Sequence, residues 1–393
     1  MWAHDMSDVP HDPPDQKKPM TVEPRNIVIV GASLAGLTLA LACATRGVPM
    51  RVIERATRRV HGGDNLSVNL ASIATAAGCD PRSEPRLPVV HAYRDRHLTS
   101  WPALYGWLRD RAGDMPGIAL HEGHALEELR VDDDRATLHL ADGSSLSADM
   151  VIGADGYRSR VRRTVNPDRP WATYAGYVVW RGVIDERSLP APVGWANDQG
   201  LWIGYRDGYR LVAAVLPGTD GSLEPGHRRV TFAWFDTRRD DLLRLSGCLD
   251  DEGHVVGTLD ADAIPDTLRD TLAGMVRALW PGVWADAVHT GVLTAGVMRG
   301  APIAEYKPDR LAMGPLALVG DAAHVLSPMT GSGYATAVDD AVLLSGLLQR
   351  ADPVAASAEL LRQYERMRLP YIRGLIDHSR RLSDEFMSYA ASF

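Results

Sequence analysis

Residues 26–54 constrain this chain more than any other stretch. Asn26-Ile-Val-Ile-Val30 is a short, almost wholly apolar run, the pattern of a strand buried on both faces of a parallel sheet. It leads straight into Gly31-Ala-Ser-Leu-Ala-Gly36. A small-residue, helix-compatible stretch follows to Arg46-Gly47, where the glycine suits a helix C-terminus. A second strand, Met50-Arg-Val-Ile53, then ends in Glu54. Strand, glycine turn, helix, strand and acid together outline a dinucleotide-binding fold. Gly31 permits the tight turn, and Gly36 lets helix and strand pack closely. The helix N-terminus points unpaired N–H groups and a positive dipole end at a pyrophosphate. Ser33 stands where the fingerprint usually has its second glycine, and its hydroxyl is able to donate to phosphate. Glu54 suits ribose hydroxyls, so the cofactor is expected to be FAD or NAD rather than NADP.

Two later segments repeat the strand-then-turn theme. An alternating strand with Ala136, Leu138 and Leu140 is followed by the turn Asp142-Gly143 and another short strand. The chain then runs Asp149-Met-Val-Ile-Gly-Ala-Asp-Gly156, followed by Tyr157-Arg-Ser-Arg-Val-Arg162. That places Asp155 at the C-terminal edge of a sheet, where α/β proteins keep their ligands. Farther on, the apolar run Leu316-Ala-Leu-Val319 enters Gly320-Asp321-Ala-Ala-His324 and then Ser327-Pro328-Met-Thr-Gly331-Ser-Gly333. An amphipathic helix follows, with Val338, Ala341, Leu344 and Leu348 on related faces. Asp321 suits a sugar-like hydroxyl, and the helix opened by Gly331–Gly333 can face a delocalised negative charge.

Taken together and in order, the three segments resemble the fingerprints of the single-component FAD-dependent aromatic hydroxylases, the para-hydroxybenzoate hydroxylase family. The likeness spans roughly residues 25–370, including Tyr364-Glu365-Arg366 on a C-terminal helix. Tyr174-Ala-Gly-Tyr-Val-Val-Trp-Arg-Gly182 and Thr99-Ser-Trp-Pro-Ala-Leu-Tyr-Gly106 are similar to segments of 2,6-dihydroxypyridine 3-hydroxylase-like enzymes. The resemblance implies that Gly31, Ser33, Gly36 and Glu54 hold the ADP half of FAD. It places Asp155 near the pyrophosphate with a part in NAD(P)H use, Asp321 on the ribityl chain, and Gly331 to Gly333 at the pyrimidine edge of the flavin. Leu34, Ala35, Arg55, Gly320, Pro328 and Ser332 complete the expected cofactor contacts. Trp101 departs from the family, many of whose members carry arginine or glutamine there. The stretch from Glu54 to Trp101 is also short, so no flavin contact is assigned to Gly62, Gly63 or Asn65.

The resemblance further implies an α/β fold: a Rossmann-type FAD-binding domain, a mixed antiparallel-sheet substrate domain and C-terminal helices. The expected boundaries are a disordered leader at 1–25, an FAD-binding domain at 26–170 and 290–350, a substrate domain at 171–289 and a helical segment at 351–393. Residues 171–235 hold nine of the 22 Trp and Tyr residues, Trp195 among them. Alternation at Tyr177–Val183, Leu201–Tyr205, Arg210–Val215 and Val230–Trp234 predicts an antiparallel sheet, with turns at Asp207-Gly208 and Pro217-Gly218. Most of its aromatics serve a second core. Arg181, as a stabiliser of a phenolate or flavin carbonyl, and Tyr205, as a proton relay, are the catalytic candidates. His324 is expected to serve either as an acid or base or as an anchor of its loop.

Only one dinucleotide fingerprint exists, so NADH or NADPH has no domain of its own and visits the flavin transiently. The implied reaction is hydroxylation of a small aromatic or heteroaromatic substrate with O2 through a flavin C4a-hydroperoxide. Epoxidation, Baeyer–Villiger oxidation and a non-catalytic flavin-binding role stay open, since fold does not fix chemistry; the Trp-x-Trp-x-Ile-Pro pattern of flavin halogenases is absent. The net charge of −8 argues against nucleic acid as a partner. No apolar run reaches the length of a membrane span. Three widely spaced cysteines offer neither a disulfide framework nor metal spacing, and the histidines form no metal set. A cytoplasmic enzyme is expected, with room for a homodimer.

Overall fold

The computed structural model describes residues 25–57, 65–132, 134–194, 200–352 and 355–393. Nearly all of the expected leader, together with Gly62, Gly63 and Trp195, lies outside these residues.

The expected nucleotide sheet has six strands. Across it run Ala312–Met313, Leu316–Leu318, Met150–Gly153, Ile27–Val30, Met50–Glu54 and Ile118–Glu122. All neighbours are parallel except the first pair. The strands Ile27–Val30, Met150–Gly153 and Leu316–Leu318 are buried at every residue, which is why they read as unbroken apolar runs. Register pairs Val30 with both Gly153 and Ile53, and Gly153 with Leu318. The glycine turn, Glu54, the Asp155 turn and the Gly320 turn therefore leave the sheet on one C-terminal edge. Helices Leu34–Ala44 and Gly333–Arg350, which carry two of the three motifs, pack against each other.

A five-stranded antiparallel sheet forms the second layer, in the order Leu201–Arg206, Tyr209–Leu216, Arg229–Asp236, Thr173–Asp185 and Arg299–Glu305. The first four are the strands expected from alternation. The fifth falls in the stretch expected to belong to the FAD-binding domain, yet it pairs with Thr173–Asp185. One face of this inner sheet, with Trp180, Trp234 and Phe232, is closed by helices Asp266–Leu279 and Gly282–Leu293. The other face looks toward the nucleotide half.

The C-terminal helix Ser357–Ala391 joins the two layers. Tyr364, Ile372 and Ile376 are buried in the core of the six-stranded sheet, while Phe386 packs on the open face of the inner sheet. Tyr364 also donates its hydroxyl to the Leu318 carbonyl, 3.1 Å away.

Candidate functional site

Steric contact draws the three motifs together. Gly31 has φ of +106°, and a Cβ there would lie 2.5 Å from the Ala154 carbonyl oxygen. A Cβ on Gly36 would overlap the Gly31 carbonyl. A Cβ on Gly320 would lie 2.6 Å from Cβ of Ala35. Backbone approaching backbone requires Gly31 and Gly36, and the Ala35 side chain pressed against the turn requires Gly320. Glu54 is buried, and its carboxylate accepts the amides of Ala32 (2.8 Å) and Ala56 (3.1 Å), clamping the glycine turn to the end of the second strand. A carboxylate has further lone pairs, so this clamp is compatible with a ribose contact. Leu34 lies in the core beneath the turn, whereas Arg55 is exposed.

The two helices that open on this edge are without caps. Ser33 makes no capping hydrogen bond from its side chain, Ser332 makes none either, and neither helix has an acid in its first turn. The helices starting at Leu70, Trp101 and Arg160, in contrast, are capped by Asn69, Ser100 and Ser159. Uncapped N-termini keep donors available for an anion. Gly331 and Gly333 have open space where a side chain would be, and Pro328 and Asp321 are exposed to the same cleft. Gly331 itself is left-handed (φ +57°), and its carbonyl accepts from Arg96 at 2.7 Å. A pyrophosphate and a flat ring fit these residues.

Asp155 and His324 are both held by bonds within the fold. Both oxygens of Asp155 accept bonds within its own turn, from Ser159 Oγ (2.5 Å) and from the amides of Arg160 (2.6 Å) and Val161 (3.3 Å). It organises the helix Arg160–Val165 beside Gly31, and burial pushes its carboxyl up despite those donors. His324 is buried, and its Nε2 lies 2.8 Å from Asp340. It anchors the loop and has no open side from which to act as acid or base. Asp340 also accepts the Gly320 amide (2.9 Å) and Nε of Arg368 (2.6 Å). Burial alone would raise the Asp340 carboxyl, but His324 and Arg368 outweigh it and hold it below its ordinary value.

Arg162 was not singled out in the sequence. It is fully buried, and it donates to the carbonyls of Pro170 (2.7 Å), Asp321 (3.1 Å), Ala322 (3.2 Å) and Tyr157. It thereby staples the Asp155 motif to the Asp321 motif. Its cue was present: an arginine in the short helix just after Asp-Gly.

Against this edge stands the open face of the inner sheet. Residues paired directly across strands share a face, and register sets Ile203, Val212, Ala233, Arg181 and Arg299 in one row. On one side of the row, Tyr177, Val179, Phe235 and Ile303 pack with Phe386 and with Met329 of the flavin-type loop. On the other side, Ala214 and Leu216 pack beneath Val90, Ala92 and Leu98. The row between them is exposed at Ile203 on the edge strand and half-buried at Val212, Ala233, Arg181 and Arg299, which makes it the floor of a candidate chamber. Arg181, half-buried, lies in that row opposite Ala233. Tyr205 does not lie in the dry interior: it sits on the edge strand, 53% exposed, with its ring edge-on to Tyr389 at 5.5 Å. A water-exposed phenol at the rim is poorly placed to relay a proton inside a closed site.

Arg210, the cross-strand neighbour of Tyr205, was missed. It is 6% exposed, its Nε and Nη1 have no hydrogen-bond partner, and its guanidinium lies 4.4 Å from the Phe235 ring. Burial pulls it below the ordinary arginine value, against the opposing effect of Tyr205 and Tyr177. Its sequence signal was an arginine sharing the inward face with Val212 and Ala214.

Comparison with known proteins places the chain in a family. A family model described as an FAD binding domain matches residues 286–379, and one described as FAD binding domain-like matches 174–270. The 3-amino-4-hydroxybenzoate 2-monooxygenase of Streptomyces cremeus is 31% identical over 388 residues, covering 92% of this chain and 87% of that protein. The chain belongs to the FAD-dependent aromatic hydroxylases. A further member, the 2,6-dihydroxypyridine 3-monooxygenase of Paenarthrobacter nicotinovorans, is 28% identical, with 85% of each chain covered. Among solved structures, 2,6-dihydroxypyridine-3-hydroxylase from Arthrobacter nicotinovorans superposes with a TM-score of 0.75 at 24% identity, covering 93% of this chain and 94% of that one. A Klebsiella pneumoniae protein solved with FAD and uric acid gives 0.67 at 23%, covering 93% and 91%. Membership makes the protein an FAD-dependent monooxygenase that draws its reducing equivalents from NAD(P)H, as is typical of the family. Among the described residues, no helix is long and apolar enough to cross a membrane.

Proposed function

We propose that this monooxygenase hydroxylates a small, electron-rich aromatic ring that carries an ionised group, and that Arg210 receives that group. The buried guanidinium of Arg210 carries the reading, because its Nε and Nη1 have no hydrogen-bond partner, and desolvated donors of a cation are costly until an anion supplies acceptors. The printed substrates of the relatives, an aminohydroxybenzoate and a dihydroxypyridine, belong to this chemical class. Ala233 and Val212, both half-buried, are the small and apolar residues on the open face next to Arg181. The ADP half of FAD is assigned to Gly31, Ser33, Gly36 and Glu54, the ribityl chain to Asp321, and the flavin edge to Pro328 and Gly331 to Gly333.

FAD, when bound, supplies the chemistry that takes hydride from NAD(P)H and activates O2. The protein's task is to bind and orient the ring, offset its charge and exclude water. We read the protein as cytoplasmic, in line with its free cysteines. A homodimer remains an expectation that sedimentation of the purified protein checks.

The test is a screen of hydroxylated aromatic acids, and of their neutral amides, for accelerated NAD(P)H consumption, with mass analysis of the product. An acid is expected to raise the rate about tenfold or more, equivalent to about 1.4 kcal/mol of barrier, and the product to gain one oxygen atom on an intact ring. Arg210→Met should lower kcat/KM for the acid about tenfold, the worth of one charged hydrogen bond, while changing the amide little. A ring-expanded lactone would favour Baeyer–Villiger chemistry. If no aromatic compound alters NAD(P)H consumption, aromatic hydroxylation is excluded as the function.

A further inference from the structure

Ser327 opens the flavin-type loop, and two hydrogen-bonded branches lead from it to one carboxylate. In the first, the Ser327 hydroxyl lies 2.8 Å from the Tyr177 hydroxyl, which lies 3.0 Å from Ser383 Oγ, and Ser383 donates to Oε1 of Glu305 at 3.0 Å. In the second, the Ser327 amide donates to Ser379 Oγ at 2.8 Å, and Ser379 donates to the same Glu305 oxygen at 2.8 Å. Tyr177, Ser327 and Ser379 are fully buried, and Ser383 and Glu305 nearly so. These five residues come from the inner sheet, the loop, its edge strand and the C-terminal helix.

The proton count sets a direction. Each hydroxyl has one proton to give. Ser383 spends its proton on Glu305, so its oxygen accepts from Tyr177. Tyr177 has then spent its own, so it accepts from Ser327. The Ser327 oxygen is left to accept, and the Met329 amide donates to it at 3.1 Å. Every donor in this branch points toward Glu305. The carboxylate thus orders the bonds and, through them, the backbone at Ser327 to Met329. The Tyr177 ring meanwhile packs on Phe235 and Phe386, in the wall of the chamber.

We propose that Glu305 is a positioning residue for the flavin. Through the hydroxyls of Ser379, Ser383 and Tyr177 it fixes the head of the flavin loop against the chamber wall and the C-terminal helix. This rests on the assignment of residues 327–333 to the flavin made above. The sequence motifs contain Ser327 and Tyr177 but do not connect them with Ser379, Ser383 or Glu305, because these residues are far apart in the chain.

The experiment compares full-length wild type, Glu305→Gln, the double variant Ser379→Ala/Ser383→Ala, and Ser383→Thr. FAD affinity of the apoprotein is followed by quenching of flavin fluorescence, and hydrogen exchange is followed by segment in the apoprotein. The double variant is expected to weaken FAD about tenfold or more, and to speed exchange at 327–333 by a similar factor, through the loss of buried hydrogen bonds. Exchange in the strands of the six-stranded sheet should stay as in wild type. Glu305→Gln keeps an acceptor oxygen but brings a donor group and no charge, so a smaller loss, roughly threefold, is expected. Ser383→Thr keeps the hydroxyl and should match wild type. Unchanged exchange at 327–333 overturns the proposal through the hydroxyl chain. Uniformly faster exchange across the protein overturns it in favour of general destabilisation. Faster local exchange with unchanged FAD affinity overturns it through its premise, since the loop would then not be the flavin's.

Discussion

Asp340→Ala is expected to cost about 3–5 kcal/mol of stability, the usual penalty for breaking a buried ion pair from one side. Asp340 is fully buried and bonds Arg368 at 2.6 Å, His324 at 2.8 Å and the Gly320 amide at 2.9 Å. Its removal leaves the Arg368 guanidinium, itself 7% exposed, with the Thr336 carbonyl, the Tyr371 ring and the exposed Asp339, 3.5 Å away. The turn at Gly320 loses its anchor at the same time, so FAD should be lost along with stability. The pH dependence follows from the sign of the shift. The folded-state value of Asp340 lies below its ordinary value, so its contribution is present above the unfolded value of about 3.9. That contribution disappears as pH falls through the folded value. Urea unfolding at several pH values checks both parts: wild type should lose its advantage over Asp340→Ala on acidification below about pH 4. A neutral-pH loss smaller than about 1 kcal/mol, the worth of an exposed pair, would show that Asp340 is not the anchor.

Asp321→Asn is expected to act in opposite directions on the apoprotein and on its cofactor. Asp321 opens to the cleft but is crowded by protein on its other sides, and this burial pushes its carboxyl up, with His324 and Arg162 opposing. A raised folded-state value contributes stability that is full below the unfolded value and is lost as pH rises through the folded value. At neutral pH the ionised side chain therefore strains the apoprotein, and the asparagine should raise its melting temperature. FAD affinity should instead fall about 10–100-fold, because a charged hydrogen bond to a ribityl hydroxyl is worth roughly 1.5–3 kcal/mol. Melting of the apoprotein and titration with FAD, done on the same preparation, separate the two effects. An apoprotein that melts lower would refute the strain at Asp321, and an unchanged affinity for FAD would remove Asp321 from the proposed site.

Read from the chain alone, the nucleotide half was legible because its requirements are local. Gly31 and Gly36 are needed by one turn, and the apolar runs at 27–30 and 316–318 register burial on both faces of a sheet. The alternation in residues 177–234 likewise announced antiparallel strands. The inner chamber was decided by pairings between distant segments. Tyr205 and Arg210 are cross-strand partners on one face, yet the first lies on the edge strand and is exposed while the second is covered on both sides. No local pattern encodes that difference, because strand order is set by contacts across the whole sheet. The same holds for His324, whose role depends on Asp340 and Arg368, and for Glu305, whose partners Ser379 and Ser383 lie 74 and 78 residues after it in the chain. Periodicity reports what a residue's neighbours along the chain require; which buried charge meets which partner is settled only when the two sheets and the C-terminal helix close on one another.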